Sequence, residues 1–164
     1  MGLDKLAHLY REVLLDHAQH PRNRGELANA THQMELLNPT CGDAVIVQCR
    51  LVEGKVEAVA FQGSGCSISI ASASMMTEVL AGQTLDQALV LVNDFNHLIS
   101  DQATSSLDEA SLNEASLDEA LKDAYFLEGL KQFPSRYKCG VLAWKAFELG
   151  VKNQQTGSNP PHQL

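Results

Sequence analysis

Apolar positions set the element order. Leu6, Leu9, Tyr10, Val13, Leu14 and His17 fall on one side of a helix over residues 3–19, which must stop before Pro21. A short strand is read over 33–37. Val45, Val47, Cys49 and Leu51 alternate with polar neighbours, which marks a strand over 45–53. A second strand over 55–62 follows the hairpin signal Glu53-Gly54. Beyond Ser67 the period changes to that of a helix, with Ile68, Ala71, Met75, Val79 and Leu80 recurring up to Gly82; Met75 and Met76 are read as core filler. Thr84-x-x-Gln87 caps a helix over 84–99. The last helix, over 135–149, starts after Pro134 and closes at Gly150, with Leu142, Trp144 and Phe147 for packing. Strands first and helices after predict an α+β fold: a small antiparallel β-sheet of about three strands packed against several α-helices.

Charge interrupts this pattern in one place. Seven of the 20 acidic residues and only one of the 12 basic ones lie between Asp101 and Asp123, so that segment carries -6 of the formal net charge of -8. It repeats Ser-Leu-Asp/Asn-Glu-Ala from Ser106, Ser111 and Ser116. A five-residue period turns successive leucines about 140° around a helix, so they form no buried stripe. Residues 101–118 are therefore read as a solvated acidic insert, with a helix starting near Ser116 from its Ser-x-x-Glu cap. The expected organisation is one domain over 1–150 and a disordered tail over 151–164, where Asn159-Pro160-Pro161 ends regular structure. A domain of 164 residues buries roughly 70% of its unfolded surface and needs no disulfide. The acidic balance excludes a nucleic-acid surface, and no apolar run or leader points to a membrane, so a cytoplasmic protein with reduced thiols is expected.

Three of the four cysteines occupy turn-forming contexts: Asn38-Pro39-Thr40-Cys41-Gly42-Asp43, Gly63-Ser64-Gly65-Cys66-Ser67, and Phe133-Pro134-Ser135-Arg136-Tyr137-Lys138-Cys139. Glycine and proline there put each thiol at the edge of an element. Cys49 alternates with strand residues and is read as core. Cys66 at a helix start, and Cys139 in the first turns of the last helix, are expected to gain thiolate character from the helix dipole. Zinc takes four ligands, and Asp43 can complete the set Cys41, Asp43, Cys66, Cys139. The separations are long and nothing in them demands convergence, so unrelated packed cysteines stand as the alternative. The six histidines have no thiol-linked spacing and are read as structural or solvent-facing. Neither a phosphate-binding glycine loop nor a Gly-x-Ser-x-Gly elbow is present.

These three motifs, with Ala71-Ser72-Ala73-Ser74-Met75-Met76 and Leu14-Leu15-Asp16-His17 before Pro21-Arg22-Asn23-Arg24-Gly25, resemble the IscU/NifU-like iron-sulfur assembly family over about residues 5–150. Within it they are most similar to the SufU branch. The resemblance implies an α+β fold, zinc held by Cys41, Asp43, Cys66 and Cys139, and sulfur received from a PLP-dependent cysteine desulfurase of SufS type. It also implies hand-over to downstream SUF cluster-assembly proteins. IscU proteins carry a histidine directly before the last cysteine, whereas Lys138 stands here, as in SufU. The implied activity is that of a zinc-dependent sulfurtransferase, with Cys41 as the catalytic persulfide acceptor. The alternative is a scaffold holding a transient [2Fe-2S] cluster on Cys41, Cys66 and Cys139. A closed structural zinc module is disfavoured by the aspartate.

Overall fold

A computed structural model describes residues 3–100, 119–153 and 162–163, with the backbone alone given for 3–9, 153 and 162–163. The acidic insert and the expected helix start at Ser116 lie outside the described residues. Helix α1 (Leu3–Gln19) is followed by β1 (His32–Asn38), β2 (Asp43–Val52), β3 (Lys55–Ser64), α2 (Ser67–Leu80), α3 (Leu85–Ile99) and α4 (Tyr137–Asn153). The α+β architecture predicted from the order of periodicities is present.

β1, β2 and β3 form an antiparallel sheet, and a two-residue strand β4 (His162–Gln163) pairs parallel to Leu36 and Leu37 at the β1 edge. The β2–β3 turn needs positive φ at two successive residues, and Glu53 (52°) and Gly54 (79°) supply it. The outer edge of β3 is covered by the loop after α1. Gly25 N–H donates to the Phe61 carbonyl (2.8 Å), and Phe61 N–H donates to the Asn23 carbonyl (3.1 Å).

Alternation sends Met34, Leu36, Val45, Val47 and Cys49 to the face covered by α2 and α4. Cys49 is a core residue, as its spacing predicted. Helix α2 is buried around most of its circumference because Ala71, Ser72, Ala73 and Ser74 are small enough for α1, β3 and α4 to approach. Trp144 of α4 stacks on Phe95 of α3 with ring centroids 4.0 Å apart. Thr84 caps α3 as predicted, its hydroxyl accepting Gln87 N–H at 3.1 Å.

The larger differences from the sequence reading lie after the insert and at the C-terminal end. The helix expected from Ser116 does not run on as an α-helix: residues 119–121 are α-helical, and Lys122–Gln132 then forms a 3₁₀ helix. Leu121, Ala124, Leu127 and Leu130, all buried, recur strictly every third residue, which makes a single face only with three residues per turn. A short 3₁₀ turn, Pro134–Arg136, then leads into α4. That helix runs through Gly150 to Asn153 and buries Val151, and His162–Gln163 pair with β1, so these parts of the expected disordered tail belong to the ordered domain. Met34 lies 3.3 Å from where a Cβ on Gly150 would be, so a side chain there would press on β1.

Candidate functional site

The inward face of the sheet continues beyond its apolar residues. Asn38 and Asp43 face each other as the last rung of the β1–β2 pair, and the alternation that buries Met34, Leu36, Val45 and Val47 buries them too. They are 0% and 2% exposed. The four residues between them close a tight hairpin: Gly42 takes φ +72° and its N–H donates to the Asn38 carbonyl at 2.9 Å. Cys41 sits in that loop, exposed.

Cys66 is the N-cap of α2, but its side chain makes no capping bond. Asp43 supplies the bond from the neighbouring hairpin, its Oδ1 accepting Cys66 N–H at 2.9 Å. That approach is possible only because residue 65 is glycine, since a Cβ there would lie 2.4 Å from Asp43 Oδ1. Cys139, the third residue of α4, is 1% exposed, and its Sγ is 3.3 Å from Cys41 Sγ. Asn38 Nδ2 donates to Asp43 Oδ2 (3.3 Å) and points at Cys139 Sγ (4.0 Å).

The donor atoms of Cys41, Asp43 and Cys139 lie within 4.8 Å of one another. Cys66 stands at the edge of this trio. Its sulfur is 3.5 Å from Ser69 Oγ and borders Cys139, but it is not in the same tight group. The four positions named from the sequence thus meet at one end of the sheet.

The electrostatics correct one expectation. Burial, joined by the neighbouring Cys41, Cys66 and Asp43, pushes the Cys139 thiol well above its ordinary range, so desolvation outweighs the helix start. A bound cation would reverse that sign, because coordination favours thiolate. The Arg136 guanidinium hydrogen-bonds Cys139 and faces Cys66 and Cys41, which raises its own pKa. The donor set suits a soft or borderline metal: three sulfurs that bind as thiolates, with one carboxylate as the hard donor. At zinc–sulfur distances two tetrahedral thiolates stand about 3.8 Å apart, so Cys41 and Cys139 would part slightly to receive an ion.

Three contributors carried no role in the sequence reading: Asn38, Gly65 and Arg136. Arg136 had a signal in standing three residues before Cys139 at a helix start. Asn38 and Gly65 become meaningful only once Asp43 is placed between them.

A second convergence joins α1, α2 and the 3₁₀ helix. His17 is fully buried, with Nδ1 2.8 Å from Ser74 Oγ and Nε2 2.9 Å from Asp123 Oδ2; Glu78 Oε1 lies at 3.8 Å. Ser74 Oγ also accepts Arg22 N–H at 2.8 Å. With the serine hydroxyl donating to Nδ1 and Nε2–H donating to Asp123, every partner is satisfied. This is a structural cross-link, in keeping with the structural reading of His17.

Residues 9–125 match the NifU-like N terminal domain. The chain is 39% identical over 152 residues to the iron-sulfur cluster assembly scaffold protein IscU of Streptococcus pyogenes serotype M1, covering 93% of this chain and 88% of that protein. It is 39% identical over 151 residues to the zinc-dependent sulfurtransferase SufU of Bacillus subtilis (strain 168), covering 92% and 94%. Among solved structures, an iron-sulfur cluster assembly scaffold candidate for the SUF system from Fervidobacterium islandicum AW-1 superposes with a TM-score of 0.73. It is 27% identical, and the match covers 88% of this chain and 98% of that one.

Proposed function

The chain belongs to the NifU-like N-terminal domain family of iron-sulfur cluster assembly proteins, and on that premise we propose that it is a zinc-dependent sulfurtransferase that accepts persulfide sulfur on Cys41. The observation that carries this reading is the contrast within the trio: Cys41 is exposed on a hairpin loop, while Asp43 and Cys139 beside it are buried. A thiol meant only to hold an ion would be better placed inside.

Cys41, Asp43, Cys66 and Cys139 are the proposed metal ligands. Zinc, when bound, keeps the thiols as thiolates without taking part in redox chemistry. The proposed donor is a PLP-dependent cysteine desulfurase of SufS type, with SUF cluster-assembly proteins downstream. The Cys41 thiolate attacks the terminal sulfur of the donor's persulfide, R–S–S⁻. A new S–S bond forms on Cys41, the donor's own S–S bond breaks, and R–S⁻ leaves with the electron pair. Arg136 places a positive charge beside the accumulating sulfur charge.

The second reading, a scaffold for a [2Fe-2S] cluster, is favoured by the equally similar relative named as a scaffold, and it uses the same thiols. The test is metal analysis of anaerobically purified protein, then desulfurase turnover with the wild type and Cys41→Ser. The sulfurtransferase reading expects about one zinc per chain, stimulation by the wild type and none by the variant. Iron and sulfide in place of zinc, or full stimulation by Cys41→Ser, would sink it.

A further inference from the structure

Resting on the metal site proposed above, we propose that Asn38 is a positioning residue that fixes Asp43 and Cys139 and thereby makes Cys41 the ligand free to leave. The amide is completely buried at the end of β1. Its two neighbours in the site, the Asp43 carboxylate and the Cys139 sulfur, are both acceptors, so only the NH₂ group can face them. That orientation leaves Asn38 Oδ1 buried with no hydrogen-bond partner. An unpaired buried carbonyl opposes folding. What the amide contributes therefore goes to the site and not to the core.

The result is a graded set of donors. Asp43 is tied at both oxygens, to Asn38 Nδ2 and to Cys66 N–H. Cys139 is buried under Asn38 and bonded by Arg136. Cys66 is anchored through its own backbone bond to Asp43 and by Ser69. Cys41 touches this frame through the Cys139 sulfur, from an exposed loop. Without the amide, Asp43 and Cys139 lose their common donor and the ranking collapses.

The experiment is cysteine-resolved alkylation with iodoacetamide, read by mass spectrometry over time. It compares wild type, Asn38→Leu and Asn38→Ala, each reduced, metal-free and zinc-loaded. In the wild type Cys41 reacts at least tenfold faster than Cys139 in both forms. In both variants Cys139 reacts about tenfold faster than in the wild type, the equilibrium equivalent of one lost hydrogen bond to a charged group, while Cys41 is unchanged. Asn38→Leu fills the vacated volume and melts above Asn38→Ala, which separates loss of the donor from loss of packing. Cys49, buried in the core, is the internal standard. Wild-type protection of Cys139 in a folded variant overturns the proposal, and so does a parallel rise at Cys49, which reports general opening. If the wild type takes up no zinc, the metal reading fails, and the metal-free arm still judges Asn38.

Discussion

At the scale of single residues, the buried cysteines divide by what surrounds them. At Cys49 burial alone pushes the thiol up to about 12 from 9.0. Because the folded pKa is the higher one, the stabilising effect is complete below pH 9 and is lost as pH rises toward 12. At pH 10 the loss is on the order of 1 kcal/mol. Cys49→Ala should lower stability at pH 7 by about 1 kcal/mol for lost packing, yet flatten the decline between pH 8 and 10 by a similar amount. Urea unfolding at the two pH values measures both, and parallel pH profiles would show that Cys49 does not titrate as described. Gly65 is the converse case, a position defined by what must be absent. Gly65→Ala should leave the fold intact but push Asp43 from its place, weakening zinc binding at least tenfold, about 1.4 kcal/mol, in a competitive chelator titration. Unchanged affinity would mean that Asp43 does not contribute to binding.

At the scale of elements, period and turn chemistry were legible and tertiary partners were not. The alternation through Val45, Val47 and Cys49 and the Thr84 cap specify their elements from within a few residues of sequence. The 3₁₀ helix was also legible, in the three-residue spacing from Leu121 to Leu130, but the preceding Ser-x-x-Glu cap pulled the reading toward an α-helix. The partnership of Asn38 with Asp43 needed the hairpin register, and that of His17 with Asp123 spans 106 residues. The latter clamps the 3₁₀ helix to α1. His17→Ala should destabilise the domain by about 2–4 kcal/mol through a buried cavity and lost hydrogen bonds. Asp123→Ala should cost about 1 kcal/mol because that carboxylate is half exposed. Hydrogen exchange should rise first in residues 122–132 for both variants. Uniform exchange across the chain would refute a local clamp.

At the scale of the whole molecule, the thiol site draws on a hairpin loop, a helix cap and the last helix, so it exists only when these have docked. Deleting residues 102–115 should leave zinc content unchanged and shift the melting temperature by no more than about 2 °C, because the repeats offer no buried face and long surface loops cost little in closure entropy. A fall of ten degrees or more, seen by calorimetry, would show that the insert packs on the domain. The docked interior also holds the chain's single tryptophan. Trp144 is sealed from water, lies flat against Phe95, and donates its indole N–H to Ser72 Oγ at 2.9 Å. Ser72 in turn donates to the carbonyl of Gly140, the residue following Cys139. One chromophore is thus wired by two hydrogen bonds to the backbone of the sulfur site. Its emission should therefore report changes at that site without a label, including the proposed metal capture and sulfur transfer followed by stopped flow, while the ring stays shielded from aqueous quenchers.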